Sequence, residues 1–468
     1  MPEALRSYRH TEKKLQVRRE RPDGLIISLG NTNRTMSSSR NPTSSREGNM
    51  NFVFISPQFP ETYWLWCDRL RSCGASVYGI GDTPAEAISS ELHRALDEYV
   101  QVDSLENYDQ VFRAVAYLSW KHGHMDWVES MNEHWLPLDA RLRDDFHVTT
   151  GASLATIDQW QSKAQMKPLY AAGNVPTARQ VRVGSLDDAR RAVWEWGGFP
   201  AFAKPEYGVG AGGAMRIEND DQLRGLVGRC SWQGAESYVL EEFVPASGIA
   251  AYDAIIDPWG KPIFENQEEF PPSMSDVARQ GLDLSYYCCP GIDPRLRDLG
   301  HAAVHAFGIR ARFVHLEFFR LAEDREGLGH AGDYVGLEVN CRPAGGYTPD
   351  MMNFAHSTDV YRIWAEMVCF GERRLHDAHD NWFAVYAGRR DNHSYVHSHR
   401  EILSRWGGSI MMERRVPGVL SDDMGNHMYV ARVRTEAARE EFIAFVQERA
   451  PEGFSEANAG ENNDAQEG

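Results

Sequence analysis

The sequence lacks long apolar runs. None of its 468 residues lies in a stretch that approaches the roughly 18–20 uncharged apolar residues needed for a membrane helix. The start of the chain also has no apolar core of the kind found in signal peptides. We therefore expect a cytoplasmic protein without a membrane partner.

Cysteine is scarce and has no regular spacing. The seven cysteines are odd in number and scattered along the chain, with none of the paired spacings of a zinc knuckle. Neither a disulfide framework nor a cysteine metal site is indicated. We expect reduced thiols that act as small apolar side chains: Cys67, Cys73, Cys230, Cys288, Cys289, Cys341 and Cys369.

An excess of basic residues is also missing. The formal net charge is −18, which argues against a general nucleic-acid partner, because such binding needs a basic surface. The net charge does not exclude a local positive pocket for a phosphorylated ligand. Length and a hydrophobic content of 42% predict two to four domains with a substantial core.

Charge is distributed unevenly between the ends. Residues 1–50 hold 10 Lys and Arg against 5 Asp and Glu and are rich in Ser and Asn, which predicts a disordered basic extension. A basic targeting arm and a translation start at Met50 are the alternatives. Residues 451–468 are rich in Glu, Asn and Gly and are predicted to be a disordered acidic tail.

A strand, helix and strand pattern opens the predicted folded part. Apolar residues at 52–55, a helical pattern at 63–73 and apolar residues at 77–80 predict a parallel α/β sheet. Glu133 follows a later strand, where ligands gather in such sheets. It is a candidate substrate contact, or an ordinary acidic residue at a helix start.

A glycine-rich loop follows the strand that ends at Lys204. Gly208, Gly210 and Gly213 match the spacing of a dinucleotide-binding loop, but residues 214–217 alternate like a strand instead of starting a helix. We expect a flap whose amides fold over a triphosphate, with Lys204 as a nearby charge. A plain hairpin turn and a Rossmann loop are the alternatives.

Two further strands carry carboxylates at residues 313–320 and 334–340. Alternation places Glu317 on one face of the first strand. It places Tyr334, Gly336, Glu338 and Asn340 together on one face of the second. If the strands pair in register as a hairpin, Glu317, Glu338 and Asn340 converge as oxygen ligands suited to Mg²⁺. Carboxylates that merely face solvent are the alternative, and Arg342 beside them favours a site for a charged ligand.

These motifs, in this order, resemble the ATP-grasp superfamily, in the branch that contains carboxylate–amine ligases, carbamoyl phosphate synthase halves and biotin carboxylase. The resemblance implies an α/β fold in which two α+β lobes grip ATP. Residues 51–150 would form the preceding open parallel α/β domain, residues 151–370 the ATP-grasp domain with its small lobe at about 180–245, and residues 371–450 a small C-terminal α+β domain.

The resemblance also implies roles for single residues. Lys163 and Lys204 look like the two nucleotide-binding lysines, and the hinge at 241–244 would read the adenine edge through backbone groups of Glu242 and Val244. The implied ATP-binding set is Lys163, Lys204, Gly208, Gly210, Gly212, Gly213, Glu241, Glu242, Phe243 and Val244. Glu317, Glu338 and Asn340 match the magnesium ligands, Arg342 matches the arginine that steadies the phosphorylated intermediate, and Lys204 and Arg342 would be catalytic. Gly248 stands where such proteins commonly place an acid for the ribose.

An activity follows from the resemblance. It implies an ATP-dependent ligase that forms an amide through an acyl phosphate, with ATP and Mg²⁺, or alternatively Mn²⁺, as cofactors. Small-molecule carboxylate and amine substrates are implied, an amino acid first among them, and a homodimer is an open alternative. A bicarbonate-activating carboxylase and a non-catalytic nucleotide-binding regulator are the rival functions. Candidate substrate contacts are Glu133, Gly345, Gly346 and Tyr347.

The C-terminal part carries several histidines. His393, His397 and His399 raise the question of a metal site, but a His-x-His pair on a strand without a neighbouring acid is typical of a solvated edge. We therefore expect no metal at these residues.

Overall fold

A computed structural model describes residues 27–28, 50–208, 213–230, 237–271, 281–377 and 380–451. Most of the predicted basic extension and acidic tail, together with Gly210 and Gly212 of the predicted flap, lies outside these residues. The described chain contains three β-sheets, and the site of interest lies where the second and third sheets approach each other. No described helix has the length and apolar character required to cross a bilayer.

The first sheet is the predicted parallel α/β layer. Strands β2 (Asn51–Ile55), β3 (Ser76–Gly81), β4 (Glu98–Gln101) and β5 (Trp127–Glu129) are parallel in the order β4-β3-β2-β5. A two-residue strand, β1 (Ile27–Ser28), pairs antiparallel with β4. The connecting helices are α1 (Trp64–Ser72), α2 (Ser90–Ala95), α3 (Tyr108–His122) and α4 (Leu136–Asp145).

The second sheet has four strands and forms a small lobe. Strands β6 (Gln180–Arg182), β7 (Ala201–Pro205), β8 (Met215–Ile217) and β9 (Tyr238–Glu242) run antiparallel in the order β6-β9-β7-β8. Helices α7 (Leu186–Glu195) and α8 (Asp220–Cys230) cover one face with a shared apolar core. Helices α5 (Leu154–Gln161) and α6 (Lys163–Ala172) precede this lobe.

The third sheet is antiparallel and has eight strands in the order β14-β13-β10-β11-β12-β15-β17-β16. Its strands are β10 (Ala246–Ile256), β11 (Pro262–Phe270), β12 (Ser285–Cys288), β13 (Arg312–Leu321), β14 (Tyr334–Asn340), β15 (Phe383–Arg389), β16 (Ile410–Arg415) and β17 (His427–Val433). Because β12 pairs with β15, the segment predicted as a separate C-terminal domain continues the sheet of the large lobe. Its helices are α9 (Pro294–Ala306), α10 (Thr348–His356), α11 (Val360–Phe370), α12 (His399–Trp406), α13 (Gly418–Met424) and α14 (Glu436–Gln447).

Aromatic packing fixes the first sheet against the third. Trp66 of α1 lies with its ring centroid 5.2 Å from that of Trp364 on α11 and 6.0 Å from that of Phe313 on β13. All three side chains are buried in one core. Burial of several large aromatic side chains strongly stabilises such a contact, so the N-terminal domain is held beside the strand that carries Glu317.

Candidate functional site

The β13–β14 hairpin brings the two predicted carboxylates face to face. Glu317 pairs directly with Glu338, and His315 pairs directly with Asn340. Glu317 and Glu338 are partly exposed, whereas Asn340 is buried and its carboxamide makes no hydrogen bond to another described residue. The hairpin therefore presents three neighbouring oxygen donors on one face.

One detail of the predicted hairpin is wrong. Phe318 pairs with Gly336 while Glu317 pairs with Glu338, so Leu337 is an extra residue in β14. Such a bulge shifts the alternation by one residue, and Tyr334 and Gly336 therefore lie on the face opposite Glu338. Side-chain packing supports this assignment of faces. Tyr334 and Phe318 belong to one hydrophobic cluster, whereas Val335 and Phe319 belong to another.

A buried histidine lies behind Glu317. His315 Nδ1 is 2.7 Å from Asp253 Oδ1, and its Nε2 is 3.2 Å from Glu317 Oε1. Burial alone would lower the pKa of His315, but the Asp253 and Glu317 carboxylates outweigh it and raise that pKa to about 10. Burial would likewise raise the pKa of Glu317, yet His315, Arg342 and Lys204 lower it overall, which keeps this carboxylate ionised.

Lys163 connects the hairpin to the base of the glycine-rich loop. It is the first residue of α6, whose N-cap is Ser162. Its Nζ atom is 3.0 Å from Glu338 Oε1 and donates a hydrogen bond to the Gly208 carbonyl oxygen at 3.0 Å. Its backbone N–H donates to the carbonyl of Glu206. The side chain is thus held between the two lobes.

Lys204 belongs to a buried cluster with a second lysine. Its Nζ lies 2.6 Å from Glu241 Oε2, and Lys167 Nζ lies 2.8 Å from the other oxygen of that carboxylate. Although burial opposes ionisation, Lys204 and Lys167 hold the pKa of Glu241 far below its usual range. Burial lowers the pKa of Lys167, while Glu241 acts against that shift. Glu241 therefore holds the two lysine ammonium groups close to each other.

The backbone groups of the predicted hinge have different surroundings. The backbone N–H of Glu242 is donated to the Arg179 carbonyl, and its carboxylate binds the Arg179 guanidinium, so that N–H is not free for a ligand. Val244 lies just beyond β9, and neither its N–H nor its C=O has a hydrogen-bond partner in the described parts of the chain. The ring of Phe243 lies under Arg216 at 4.5 Å. Of these two backbone N–H groups, that of Val244 thus has no partner among the described residues.

The loop after Lys204 leads into a strand, as the alternation predicts. Gly208 and Gly213 have φ of 136° and 77°, the region that favours glycine. The next element is β8, not a helix, so the loop lacks the helix start that a Rossmann loop needs. Gly248 pairs with Arg320 in the β10–β13 ladder.

Arg342 lies beside a carboxylate from the N-terminal domain. Its Nε is 3.7 Å from Glu133 Oε2, and that oxygen is buried without a hydrogen-bond partner among the described residues. Gln161 donates to the other oxygen of Glu133 at 3.1 Å. Burial raises the pKa of Glu133 although Arg342 acts in the opposite direction. The predicted substrate contact is therefore next to the hairpin, where a cationic group would complete its partners.

Of the two glycines after Arg342, Gly346 lies against Met424 of helix α13. Gly346 has φ of 63°, and a Cβ atom there would lie 2.6 Å from Met424 Cε, whereas one on Gly345 would meet nothing within 4 Å. Tyr347 is buried, with the Arg414 guanidinium 5.5 Å from its ring centroid. Arg414 also binds Glu61 of the N-terminal domain. Residues from three parts of the chain thus meet next to Arg342.

Known structures with the same architecture identify the fold. The chain matches no protein-family model and no curated protein. Among solved structures, an L-amino acid ligase from Bacillus licheniformis has a TM-score of 0.62 at 14% identity, with 84% of this chain and 96% of that chain covered. A phosphoribosylglycinamide synthetase from Anaerococcus prevotii has a TM-score of 0.60 at 13% identity, with coverage of 85% and 98%.

A third structure was solved with a nucleotide. The biotin carboxylase domain of the Hydrogenobacter thermophilus 2-oxoglutarate carboxylase, a dimer in complex with MgADP, ADP and bicarbonate, has a TM-score of 0.56 at 16% identity, with 82% of this chain and 86% of that chain covered. All three are ATP-grasp proteins.

This chain has the ATP-grasp fold. The predicted fold class is confirmed. Lys163 of α6 pairs with Glu338 of the eight-stranded sheet, and Lys204 of the four-stranded sheet lies close enough to Glu317 to lower its pKa.

Three polar residues that were not predicted as site residues contact the predicted ones or each other. Lys167 lies four residues after Lys163, and that helical spacing places both on one face of α6. His315 lies two residues before Glu317, on the same face of β13. Asp253 carries no local signal, because its contact with His315 depends on the pairing of β10 with β13.

Proposed function

We propose that this protein is an ATP-dependent ligase that joins a carboxylate to an amine through an acyl phosphate, with release of ADP and phosphate. The observation that carries the proposal is a mixed charge constellation between the two lobes. On one side lie the carboxylates of Glu317 and Glu338, paired across the hairpin. Around them lie the cations Lys163, Lys204 and Arg342.

The cations suit a triphosphate. Phosphoryl transfer requires mainly positioning and neutralisation of charge, which two buried lysines supply without a covalent nucleophile. Lys163 Nζ and Lys204 Nζ would bind phosphate oxygens, and Val244 would offer its free backbone groups to the adenine. The nucleotide complex of the biotin carboxylase domain supports ATP as the ligand class.

The donor set suits a hard divalent cation. Glu317, Glu338 and Asn340 offer only oxygen ligands, and the Asn340 carboxamide is not used by another described residue. Such sets, few in number and completed by substrate phosphates, are typical of Mg²⁺, and Mn²⁺ accepts the same ligands. When bound, the ion would neutralise negative charge on the transferred phosphoryl group.

Arg342 would stabilise the acyl phosphate. In the first step, a substrate carboxylate oxygen forms a bond to the γ-phosphorus while the bond to the β,γ-bridging oxygen breaks, which releases ADP. In the second step, the amine nitrogen bonds to the acyl carbon, the bond from carbon to the phosphate oxygen breaks, and the nitrogen loses a proton. A guanidinium pairs well with phosphate oxygens, and Glu133 holds that of Arg342 from behind.

An amino acid is the proposed substrate class. Glu133 Oε2 is buried without a hydrogen-bond partner among the described residues, and a substrate ammonium group would provide one. Tyr347, with Gly345 and Gly346 before it, and Asp350 and Arg414 near it, would line the space for the second substrate. The similar fold of an L-amino acid ligase supports this substrate class.

A coupled assay of ADP release tests the proposal. Purified protein with ATP and Mg²⁺ would be screened against single amino acids and pairs of amino acids, with and without added bicarbonate. We expect ADP release that requires an amino acid and an amine together, and a condensed product by mass spectrometry. ADP release that depends on bicarbonate would instead favour a carboxylase, and ATP binding without any turnover would favour a nucleotide-binding regulator.

We further propose a homodimer that works in the cytoplasm. The dimer seen for the biotin carboxylase domain supports the assembly. Light scattering of the purified protein would give a mass near 106 kDa for a dimer, twice the chain mass of 53.0 kDa.

A further inference from the structure

Three potential metal ligands converge in the C-terminal part of the chain. His399 begins α12, Glu413 lies on the edge strand β16, and His427 begins β17. One ligand atom of each lies within 4.8 Å of the other two. Asp253, Glu268 and His315 form a comparable group, but they are buried behind Glu317 and belong to the candidate active site.

The pairing of β16 with β17 places two of these side chains together. Glu413 is opposite Tyr429 and Arg415 is opposite His427, so Glu413 and His427 are diagonal neighbours on one face of the sheet. His427 Nε2 and Glu413 Oε1 share a hydrogen bond. A cation could take the place of the shared proton with a small outward movement of the Glu413 carboxylate, which is exposed.

A tyrosine orients the third ligand. Nδ1 of His399 lies 2.8 Å from the hydroxyl of Tyr429. With Nδ1–H donating to that hydroxyl oxygen, Nε2 carries the lone pair that a metal requires. An outer hydrogen bond of this kind is the usual companion of a metal-binding histidine, because it fixes both the tautomer and the ring direction.

We propose that His399, Glu413 and His427 form a binding site for a divalent transition-metal cation of the zinc class, separate from the nucleotide site. Two imidazole nitrogens and one carboxylate oxygen are a typical protein ligand set for zinc, whereas Mg²⁺ prefers oxygen ligands alone. His399 and Glu413 are exposed, so water has access to a fourth position. A bound cation would join α12 and the edge strand β16 to β17.

The two histidines of the His-x-His pair have different partners. His397 is bonded to Glu448, whereas His399 lies beside Tyr429. The acid and the second histidine that complete the site come from β16 and β17, which no local spacing reveals.

Calorimetric titration of the chelator-treated full chain with Zn²⁺ tests the site, with saturating Mg²⁺ and an ATP analogue present to occupy the nucleotide site. We expect the wild type to bind Zn²⁺, and His399→Ala and His427→Ala to lose one equivalent. His397→Ala is the matched control, because it removes a neighbouring histidine that also bonds to a glutamate, and it should retain that equivalent. Tyr429→Phe should weaken binding about 10- to 100-fold.

Thermal unfolding gives a second readout. Zn²⁺ should raise the melting temperature of the wild type and of His397→Ala but not that of His399→Ala, with each protein compared with itself in the absence of Zn²⁺. Absence of Zn²⁺ binding to the wild type would overturn the proposal. So would unchanged stoichiometry and affinity in His399→Ala and His427→Ala, since the cation would then bind elsewhere.

Discussion

The Nζ atom of Lys163 lies 3.0 Å from Oε1 of Glu338. This ion pair joins a residue from the helix before the small lobe to a strand of the large lobe, and the same ammonium donates to the Gly208 carbonyl at the base of the glycine-rich loop. In the proposed enzyme the two groups would bind different partners when the nucleotide is present. The lysine would contact phosphate, and the carboxylate would be one of the residues that hold the divalent cation.

Replacement of Glu338 by Gln should abolish most of the turnover. We expect a loss of about 100- to 1,000-fold in kcat, because the proposed divalent-cation site loses the charge of one of its oxygen ligands. Glu323→Gln, an exposed residue beyond β13, is the matched control and should retain full activity. ADP release measures both variants, and equal activity of Glu338→Gln and the control would remove Glu338 from the proposed site.

Glu133→Gln should affect one substrate selectively. If the Glu133 carboxylate receives a substrate ammonium, its loss raises KM for the amino acid by at least about tenfold, equivalent to the loss of a charged hydrogen bond of about 1.5–3 kcal/mol, and leaves KM for ATP nearly unchanged. Steady-state kinetics with each substrate varied in turn separate the two constants. A parallel rise in both would show that Glu133 acts only by holding Arg342.

The hairpin shows what local sequence can and cannot predict. Alternation along β13 and β14 is enough to bring Glu317 and Glu338 together, because both lie in one hairpin with a short-range pairing. The bulge at Leu337 is not visible in that pattern, since an extra residue leaves no compositional mark. The roles proposed for Glu317, Glu338 and Arg342 stay predictions from the family resemblance.

Contacts between distant segments could not be predicted. Asp253 reaches His315 across 62 residues, and β12 joins β15 although about 100 residues separate them. Such pairings depend on the whole topology and not on the residues at either end. The placement of Glu133 beside Arg342, 209 residues later in the chain, is of the same kind.

Gly346→Ala should destabilise the protein, whereas Gly345→Ala should not. Gly346 combines a positive φ with a Cβ position 2.6 Å from Met424 Cε, so we expect a loss of about 1–2 kcal/mol in the free energy of unfolding. Gly345 is the matched control, with open space at its Cβ position. Denaturant titrations measure these variants. In the double variant Gly346→Ala/Met424→Ala, the loss of unfolding free energy that comes from the positive φ of residue 346 should remain. Equal stability of the two glycine variants would contradict this account.

Asp139 should make stability depend on pH. Burial raises its pKa to about 7, although Arg143 and the Ser130 hydrogen bonds oppose the shift. Because the folded chain then holds a proton that the unfolded chain has lost, the free energy of unfolding contributed by this group falls as pH rises from about 4 to about 7.

Asp139→Asn isolates that contribution. The asparagine side chain of the variant keeps an oxygen that accepts the Ser130 hydrogen bonds, but it does not titrate. The stability of the variant relative to the wild type should therefore increase between pH 5 and pH 7.5, by about 1.4 kcal/mol for each pH unit in that range. Urea titrations of both proteins at several pH values measure the difference. A constant difference across this range would mean that Asp139 does not titrate in it.

The central claim is that a substrate carboxylate is phosphorylated by ATP. The most direct measurement uses amino acids labelled with ¹⁸O in their carboxyl groups, incubated with the protein, ATP and Mg²⁺, followed by mass spectrometry of the phosphate released. The proposed ligase predicts transfer of one ¹⁸O atom to phosphate for each amide formed, and no transfer by Glu338→Gln. Amide or ADP formation with unlabelled phosphate would contradict the acyl phosphate and with it the proposed reaction.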